Sequence, residues 1–212
     1  MTSLAVCAGC YLIVWGRPVT HATSSAAIAV DALLLTVFAA HHSLFAREPM
    51  KALISRTVAS DLIRSCYVWI ASALLIVACL GWRSIGGEIW RLAGVAAIVS
   101  AAIQLTGIAL IAFAVRHLDP LELAGIRPPS AHEPLQATGV YGLVRHPLYL
   151  GWVLCVFGTA HMTGDRVAFA IITTAYLVVA VPWEEQSLRR SFGQDYDRYV
   201  RSVRWRIVPF IY

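Results

Sequence analysis

The chain has 212 residues, of which 58% are hydrophobic and only 14% are charged, whereas a soluble domain has roughly 45–50% apolar and about 25% charged residues. So large an apolar share cannot be buried inside one small globule, which indicates that lipid surrounds much of the protein. The net charge of +5 is typical of a membrane protein with arginine-rich cytoplasmic loops, so no nucleic-acid partner is expected.

Apolar stretches alternate with polar segments along the chain, and a bilayer core takes roughly 20 mostly apolar residues to cross. Two of the stretches are short for that length, and the fourth is long enough to tilt or protrude. The predicted spans are, in chain order, Thr2–Trp15, Ser25–Ala40, Arg64–Leu80, Ile89–Val115, Leu148–Ala160 and Val167–Trp183.

The polar segments between the spans predict other elements. An interfacial helix is expected over Arg47–Arg56, and turns are expected at 81–87 and at Met162–Arg166. The proline-broken stretch Arg116–Thr138 reads as a long loop, and loops of this length are usually functional. Glu184–Val203 is predicted to be a charged amphipathic helix outside the membrane. The fold class is therefore all-α: a polytopic transmembrane protein of about six spans with a cytoplasmic amphipathic C-terminal helix.

The basic residues predict the orientation and the division of the chain. The segments that follow spans two, four and six, counted with Arg64 at the start of span three, hold 13 of the 17 lysines and arginines, which places both termini in the cytoplasm. We expect an integral protein of the bacterial inner membrane. Residues 1–116 would form the N-terminal transmembrane helices, and residues 117–212 would hold the long loop, a helical hairpin and the C-terminal helix, in one integrated membrane domain.

Two polar clusters lie at predicted membrane boundaries. Arg145-His146-Pro147 stands where the long loop enters the fifth span, and the start of a helix favours an anion. Glu184-Glu185 stands where the sixth span ends. Adjacent helical residues point about 100° apart, so only one carboxylate can face a ligand; we expect Glu184 to do so, with Glu185 facing loop arginines. On its own, the first cluster is explained slightly better by a snorkelling arginine with a capping histidine. The second cluster has the alternative explanation of a charged border that marks the end of a span.

Cysteine and histidine spacing gives no further site. The five cysteines lie in or at the start of apolar stretches and form no disulfide framework. Cys7 and Cys10 are therefore interpreted as packed membrane thiols, although they form a C-x-x-C. His41 and His42 are adjacent and have no nearby carboxylate or thiol partner in the sequence, so no metal site is predicted.

The order of these motifs is more specific than any one of them. Residues 139–151 read GVYGLVRHPLYLG, residues 184–188 read EEQSL, and residues 192–199 hold F-G-x-x-Y-x-x-Y. This pattern resembles the integral membrane S-adenosylmethionine-dependent methyltransferase superfamily, which includes isoprenylcysteine carboxyl methyltransferases and phospholipid methyltransferases. His42–Arg47 and Arg64-x-x-Tyr67-Val68 further resemble the branch of the methanethiol S-methyltransferases.

The resemblance implies S-adenosylmethionine as cofactor, bound at the cytoplasmic end of the last two spans. A helix start suits the cofactor's carboxylate, aromatic faces suit its sulfonium, and a carboxylate suits its ribose hydroxyls. The carried-over cofactor residues are Glu133, Pro134, Leu135, Gln136, Tyr141, His146, Pro147, Leu148, Tyr149 and Glu184. Methyl transfer from an activated donor needs positioning more than a nucleophile, so no catalytic residue is assigned.

One departure from the family pattern narrows the chemical class of the methyl acceptor. Isoprenylcysteine enzymes have an arginine one helical turn before the first glutamate, and this chain has Ala180 there. A buried carboxylate without a cation is costly, which favours a small or lipophilic acceptor, a thiol first of all, although Arg145 or Arg116 would be substitutes. Isoprenylcysteine carboxyl or phospholipid N-methylation, an NADPH-dependent sterol-type reduction and a non-enzymatic transporter are the alternatives.

Overall fold

The computed structural model describes residues 2–17, 19, 24–45, 47–116, 121, 124, 126 and 134–212. Helices dominate this part of the chain. In chain order the elements are α1 (Thr2–Gly9), a π-helix (Cys10–Val14), α2 (Ser25–Phe45), α3 (Glu48–Ile54), α4 (Ser60–Leu80), β1 (Glu88–Arg91), α5 (Gly94–Val115), a 3₁₀-helix (Gly139–Gly142), α6 (Pro147–Phe157), β2 (His161–Thr163), α7 (Gly164–Phe192) and α8 (Gln194–Ser202).

The helices have the length and composition of a membrane protein. Within the described residues, four helices are long and apolar enough to cross a bilayer, namely α2, α4 from Leu62, α5 and α7. Two shorter apolar helices, Thr2–Val14 and Pro147–Phe157, complete the set. Many large apolar side chains on them face outward, among them Val95 at 77% and Ile98 at 70% exposure. The all-α membrane class predicted from composition is confirmed.

One compact unit comprises Met1–Trp90, Leu118–Ser130 and His161–Ile172. In it α1 and α2 both pack against α4. An aromatic cluster fills one end: the rings of Trp15 and Trp82 have centroids 4.6 Å apart, and Phe169 lies 4.9 Å from Trp15. Burial of such rings is a major stabilising contribution in a chain that leaves many of its large apolar side chains exposed.

The first helix changes its winding at Cys10. The Trp15 backbone N–H donates to the carbonyl oxygen of Cys10, five residues back, which makes a π turn. Isolated π turns inside helices are rare and are frequent at functional sites. Cys7, Cys10 and Trp15 are all buried by this arrangement, and both cysteines are free thiols, as the sequence predicted.

Two charged residues at the start of α7 fasten this unit together. Asp165 is buried and accepts hydrogen bonds from the Trp82 indole N–H and the Ile85 backbone N–H, each at 2.8 Å. Arg166 donates to the carbonyl oxygens of Tyr11 and Leu12, each at 2.9 Å. Both charges thus satisfy backbone groups that would be unpaired inside an apolar surrounding.

The second compact unit comprises Arg91–His117, Ala131–Ala160 and Thr173–Tyr212. Its main contact is α5 against α6, which approach closely because glycines face each other. A side chain at Gly151 would place its first carbon 2.8 Å from the Gly107 carbonyl oxygen. Small residues of this kind let membrane helices pack backbone against backbone. The glycine of the RHPLYLG motif therefore has a packing role.

The segment before α5 differs from the prediction. Glu88–Arg91 forms a strand that pairs with His161–Thr163, so the fourth span begins at Gly94 and not at Ile89. The His161 ring lies 2.8 Å from the Glu88 carboxylate across this pair. The turn predicted at Met162–Arg166 is also wrong, because β2 runs directly into α7 at Gly164.

The last long helix also differs from the prediction. The sequence separated a span ending at Trp183 from a charged helix over Glu184–Val203, whereas α7 is continuous to Phe192 and contains Pro182. The break comes at Gly193, whose φ of +53° is a conformation that other residues rarely adopt. The glutamate pair therefore lies inside α7, about two turns before its end.

Candidate functional site

The loop that leads into α6 is held by the C-terminal segment. The backbone N–H groups of Arg145 and His146 donate to the carbonyl oxygens of Trp205 and Arg206, at 2.9 and 2.8 Å. Arg145 Nη1 also donates to the carbonyl oxygens of Val203 and Arg204, each at 2.8 Å. These bonds fix the direction in which the residues at the start of α6 present their side chains.

Arg145 and Glu185 form a buried ion pair behind this loop. The Arg145 Nε atom lies 2.7 Å from Glu185 Oε1, and both residues are only 8% exposed. Arg206 Nε lies 3.4 Å from the other carboxylate oxygen of Glu185. Glu185 thus faces arginines, as the sequence indicated, and its charge is compensated inside the protein.

Glu184 points to a different set of partners. Its Oε2 atom accepts a 2.6 Å hydrogen bond from the Tyr149 hydroxyl and lies 3.6 Å from His146 Nδ1. The His146 ring stacks on the Tyr149 ring with centroids 5.2 Å apart and an angle of 11°. Because the Glu184 side chain is 43% exposed, this carboxylate remains accessible while Tyr149 and His146 hold one oxygen in place.

His146 connects the two glutamates. Its Nε2 atom lies 3.4 Å from Glu185 Oε1, while Nδ1 faces Glu184. His146 is the residue before the first turn of α6, but its side chain makes no capping hydrogen bond there. The interpretation of His146 as a capping residue is therefore wrong, and its ring is available to the glutamate pair.

Tyrosines from α8 close one side of this region. Tyr196 and Tyr199 are buried with Val203, and Leu135 and Phe192 pack against them. Burial raises the pKa of Tyr196 to about 12, with a contribution from the nearby Glu185 charge. Burial also raises the pKa of Tyr199, whose hydroxyl donates to the carbonyl oxygen of Tyr141 at 2.8 Å. Both phenols therefore stay neutral.

The Tyr196 hydroxyl is a buried polar atom without a hydrogen-bond partner in the part of the chain that the structure describes. Such atoms are uncommon in native proteins. It lies within the electrostatic reach of Glu185, Arg145 and Arg189. A group that joins this region would find a phenol oxygen ready to donate or accept.

The residues carried over from the family pattern are placed as follows. Glu133 lies outside the described residues, and Pro134, Leu135 and Gln136 form a segment without regular secondary structure, in which only Leu135 is partly buried. Pro147 is buried at the first position of α6, and Leu148 is half-buried beside it. Tyr141 lies in the 3₁₀-helix, and burial raises the pKa of its hydroxyl. The structure brings together His146, Tyr149 and Glu184.

Sequence reasoning missed the contribution of the C-terminal segment. Arg206 and the carbonyl groups of residues 203–206 supply the partners of Arg145, His146 and Glu185. The many arginines of this segment could have indicated such contacts, but on sequence alone they indicate only a cytoplasmic location. Arg145 uses Nε for Glu185 and Nη1 for two carbonyl oxygens, and its use as a partner of a substrate carboxylate stays a prediction.

Comparisons with known proteins point to one chemistry. A family model described as phospholipid methyltransferase matches residues 96–195. The chain is 36% identical to methanethiol S-methyltransferase 2 of Bradyrhizobium diazoefficiens over 186 residues, and this alignment covers 84% of this chain and 71% of that protein. It is 34% identical over 203 residues to the methanethiol S-methyltransferase of Mycobacterium tuberculosis, which covers 90% and 83%.

A more limited similarity extends to plant enzymes. Protein-S-isoprenylcysteine O-methyltransferase A of Arabidopsis thaliana is 37% identical over 83 residues, which is 38% of this chain and 42% of that protein. No solved structure matches the chain.

Proposed function

Because the chain belongs to the membrane methyltransferase family that includes the methanethiol S-methyltransferases, we propose that it methylates a small thiol and that its methyl donor is S-adenosylmethionine. The observation that carries the donor site is the accessible Glu184 carboxylate, which Tyr149 and His146 hold by one oxygen. The observation that favours a thiol is the similarity to the methanethiol enzymes over most of the chain.

The side chains around Glu184 fit the chemistry of this cofactor. A half-exposed carboxylate can accept hydrogen bonds from ribose hydroxyls, and the stacked rings of His146 and Tyr149 offer an aromatic face to a cation. Pro147 has no N–H, and the N–H groups of Tyr149 and Leu150 donate to the His146 carbonyl oxygen. What the start of α6 offers to a carboxylate is therefore the positive end of the helix dipole. Tyr196 adds a buried hydroxyl that lacks a partner among the described residues.

The remaining cofactor residues are proposed on the family pattern. Glu133–Gln136 would run along the cofactor, and Tyr141 and Leu148 would line it. When bound, S-adenosylmethionine supplies a methyl group that is already activated on a sulfonium. The protein's residues therefore bind, orient and exclude water, and no catalytic base is assigned, since a thiol with pKa about 8.5 loses its proton readily.

Two positions disfavour a carboxylate acceptor. Ala180 lies one turn before Glu184 on α7, where it offers no charge. Arg145 is paired with the buried Glu185, so compensating a second carboxylate would take from Glu185 the partner at 2.7 Å and leave it only the more distant Arg206 as an arginine partner. A neutral thiol needs no cation to bind. It releases its proton to solvent, and the thiolate charge is cancelled when its sulfur takes the methyl group from the sulfonium, which leaves as a neutral thioether.

We further propose that the chain crosses the bacterial inner membrane six times with both termini in the cytoplasm. The crossings would be Thr2–Val14, α2, α4, α5, α6 and α7. Support comes from the lysines and arginines, 13 of 17 of which lie at or beyond the ends of these helices that this orientation places in the cytoplasm. In this orientation Glu184, His146 and α8 lie at the cytoplasmic side, where S-adenosylmethionine is made.

Radiolabelled methyl transfer in detergent tests the proposal. The purified protein is incubated with tritiated-methyl S-adenosylmethionine and, separately, with methanethiol, a longer alkanethiol, a farnesylated cysteine and phosphatidylethanolamine. We expect volatile labelled sulfide from methanethiol at a rate well above that of the other acceptors. Label that accumulates in the farnesylated cysteine or in the lipid instead would refute the thiol assignment.

Cofactor binding is tested separately by calorimetry. Glu184→Gln removes the charge of the proposed ribose acceptor and keeps its size, so cofactor affinity should fall by about tenfold or more, since hydrogen bonds to charged groups contribute about 1.5–3 kcal/mol. Glu88→Gln is the matched control, because Glu88 is paired with His161 in the β1–β2 region. Equal affinities for the two variants would contradict the assignment of Glu184.

A further inference from the structure

An open cavity of about 370 Å³ lies along α7 on the side of Glu185. Its volume is within the range of small-molecule sites. Pro182, Gln186 and Arg189 follow one another at helical spacing, which places them on one face of α7. The cavity is lined by Pro182, Trp183, Glu185, Gln186, Arg189 and Arg206.

Two arginines give one end of the cavity a positive charge. Arg189 uses its Nε atom for Asp197, at 2.8 Å, and Arg206 uses Nε for Glu185 and Nη1 for the Tyr212 hydroxyl. Each guanidinium carries five N–H donors, so both have donors beyond these bonds. The Glu185 charge is compensated by Arg145 from behind, and the cavity therefore presents cationic donors.

The other end of the cavity is apolar and reaches the membrane boundary. Pro182 and Trp183 are the last residues of the apolar stretch of α7, before Glu184 begins the charged part. Trp183 is 49% exposed, and tryptophan is enriched at the level of lipid head groups. One face of α7 thus changes from apolar to cationic within two turns, at the height where a bilayer makes the same change.

We propose that this cavity binds the head group of an anionic phospholipid, with the phosphate at Arg189 and Arg206 and the acyl chains towards Pro182 and Trp183. A planar guanidinium is well suited to phosphate oxygens. The apolar end distinguishes a lipid from a free phosphate, which would gain nothing from Trp183. This site is separate from the proposed cofactor site, because Glu184, Tyr149 and His146 do not line the cavity.

Native mass spectrometry of the full-length protein tests the proposal. The protein is mixed in detergent with equal amounts of phosphatidylglycerol and phosphatidylcholine, and the bound fraction of each lipid is measured. An arginine near an anionic lipid surface contributes about fivefold in affinity, so two should give phosphatidylglycerol a preference of at least tenfold. Equal binding of the two lipids would overturn the proposal.

Two variants place the effect in the cavity. Arg189→Gln/Arg206→Gln should abolish the preference, whereas Arg190→Gln/Arg201→Gln, which removes the same charge from exposed positions outside the cavity, should retain it.

Since Arg206 also contacts Glu185, a second variant leaves every arginine in place. Gln186→Glu adds a negative charge inside the cavity and should reduce the preference severalfold, and Gln194→Glu is its matched control outside the cavity.

The outcomes separate the sources of phosphate. Retained lipid in the presence of millimolar inorganic phosphate supports a lipid site, and displacement by inorganic phosphate overturns it in favour of a soluble anion. Equal losses in the cavity variants and their controls would also overturn it, because the attraction would then come from charge spread over the surface. If the arginine variant does not fold, the comparison of Gln186→Glu with Gln194→Glu decides.

Discussion

At the scale of single residues, Arg145 determines whether Glu185 can be buried. Arg145→Met would leave the Glu185 carboxylate 8% exposed without the partner that lies 2.7 Å away. Breaking a buried pair in this way costs about 3–5 kcal/mol. We therefore expect a clear fall in the unfolding temperature of the protein in detergent, measured by the fluorescence of its tryptophans.

Two further variants show whether the lost ion pair causes the fall in unfolding temperature. Arg190→Met removes an exposed arginine near Glu185 in sequence and should leave the unfolding temperature nearly unchanged. Arg145→Met/Glu185→Met should recover part of the loss, because no charge is then buried alone. A double variant less stable than Arg145→Met would show that the ion pair is not the cause.

The two buried tyrosines of α8 should respond in opposite ways to loss of the hydroxyl. Tyr196→Phe removes an oxygen that has no partner in the described part of the chain, so stability without ligand should stay equal or rise. Tyr199→Phe removes the hydrogen bond to the Tyr141 carbonyl oxygen and should cost about 1 kcal/mol. Thermal unfolding at pH 8 compares them, and a larger loss for Tyr196→Phe would contradict the assignment.

The same phenols predict how stability depends on pH. The pKa of Tyr196 is about 12 in the folded protein, above the value of about 10 in an unfolded chain. The unfolded chain therefore releases the Tyr196 proton at a lower pH than the folded protein does. Titration of this group leaves the folding stability unchanged below pH 10 and lowers it as the pH rises from about 10 to about 12. Unfolding temperatures measured across this window should fall less steeply for Tyr196→Phe than for the unmodified protein, and equal slopes would contradict the burial of this phenol.

Loss of the Tyr149 hydroxyl is expected to weaken cofactor binding and to leave the folding stability nearly unchanged. Its hydroxyl donates to Glu184, and because Glu184 is half-exposed, losing the bond leaves no buried charge unpaired. Tyr149→Phe should therefore weaken S-adenosylmethionine affinity by about tenfold with little change in unfolding temperature. Calorimetry and thermal unfolding together check this, and a variant with unchanged affinity would separate Tyr149 from the cofactor site.

At the scale of elements, the contact of α5 with α6 depends on glycine. A first side-chain carbon at Gly151 would lie 2.8 Å from the Gly107 carbonyl oxygen and 2.9 Å from Ile111 Cγ1. Gly151→Ala should therefore cost about 1–3 kcal/mol through overpacking. Gly9→Ala is the control, because nothing lies within 4 Å of the added carbon. Thermal unfolding should separate the two variants, and equal stability would show that α5 and α6 are not in close contact.

The elements also show what local sequence can predict. Apolar runs located the membrane helices because lipid requires long uninterrupted apolar segments. The strand Glu88–Arg91 was not predicted, because its pairing partner, His161–Thr163, is some 70 residues away. Its four residues also show no clear alternation of polar and apolar side chains. The end of α7 was misplaced because the change to charged residues at Glu184 resembles a boundary, although no proline or glycine stands between Glu184 and Gly193.

The candidate site was predictable to a similar extent. The family pattern identified His146, Tyr149 and Glu184, which the fold brings together, and the helical angle between neighbours separated Glu184 from Glu185. The partners of Arg145 could not be predicted, because backbone carbonyl groups of residues 203–206 have no signature in the sequence. Glu133 stays a prediction, since it lies outside the described residues.

At the scale of the whole molecule, the proposed six crossings make the orientation testable. A fluorescent protein fused after Tyr212 should mature and fluoresce, and an alkaline phosphatase fused there should be inactive, because both report a cytoplasmic C-terminus. Fusions within residues 81–87, after the third span, should give the reverse result. A C-terminal phosphatase that is active would contradict the cytoplasmic placement of the C-terminus.

The π turn at Cys10 amounts to one residue more than an ordinary helical turn requires. Ser3, Cys7, Tyr11 and Trp15 are all buried at intervals of four, although in a regular helix such an interval overshoots the turn by about 40° at each step. The wider turn absorbs part of that overshoot. Deleting a single residue between Tyr11 and Trp15 would leave an interval of three, which turns through about 300° in a regular helix, so Tyr11 and Trp15 would no longer share one side. Length, and not only composition, is therefore under constraint in this short helix.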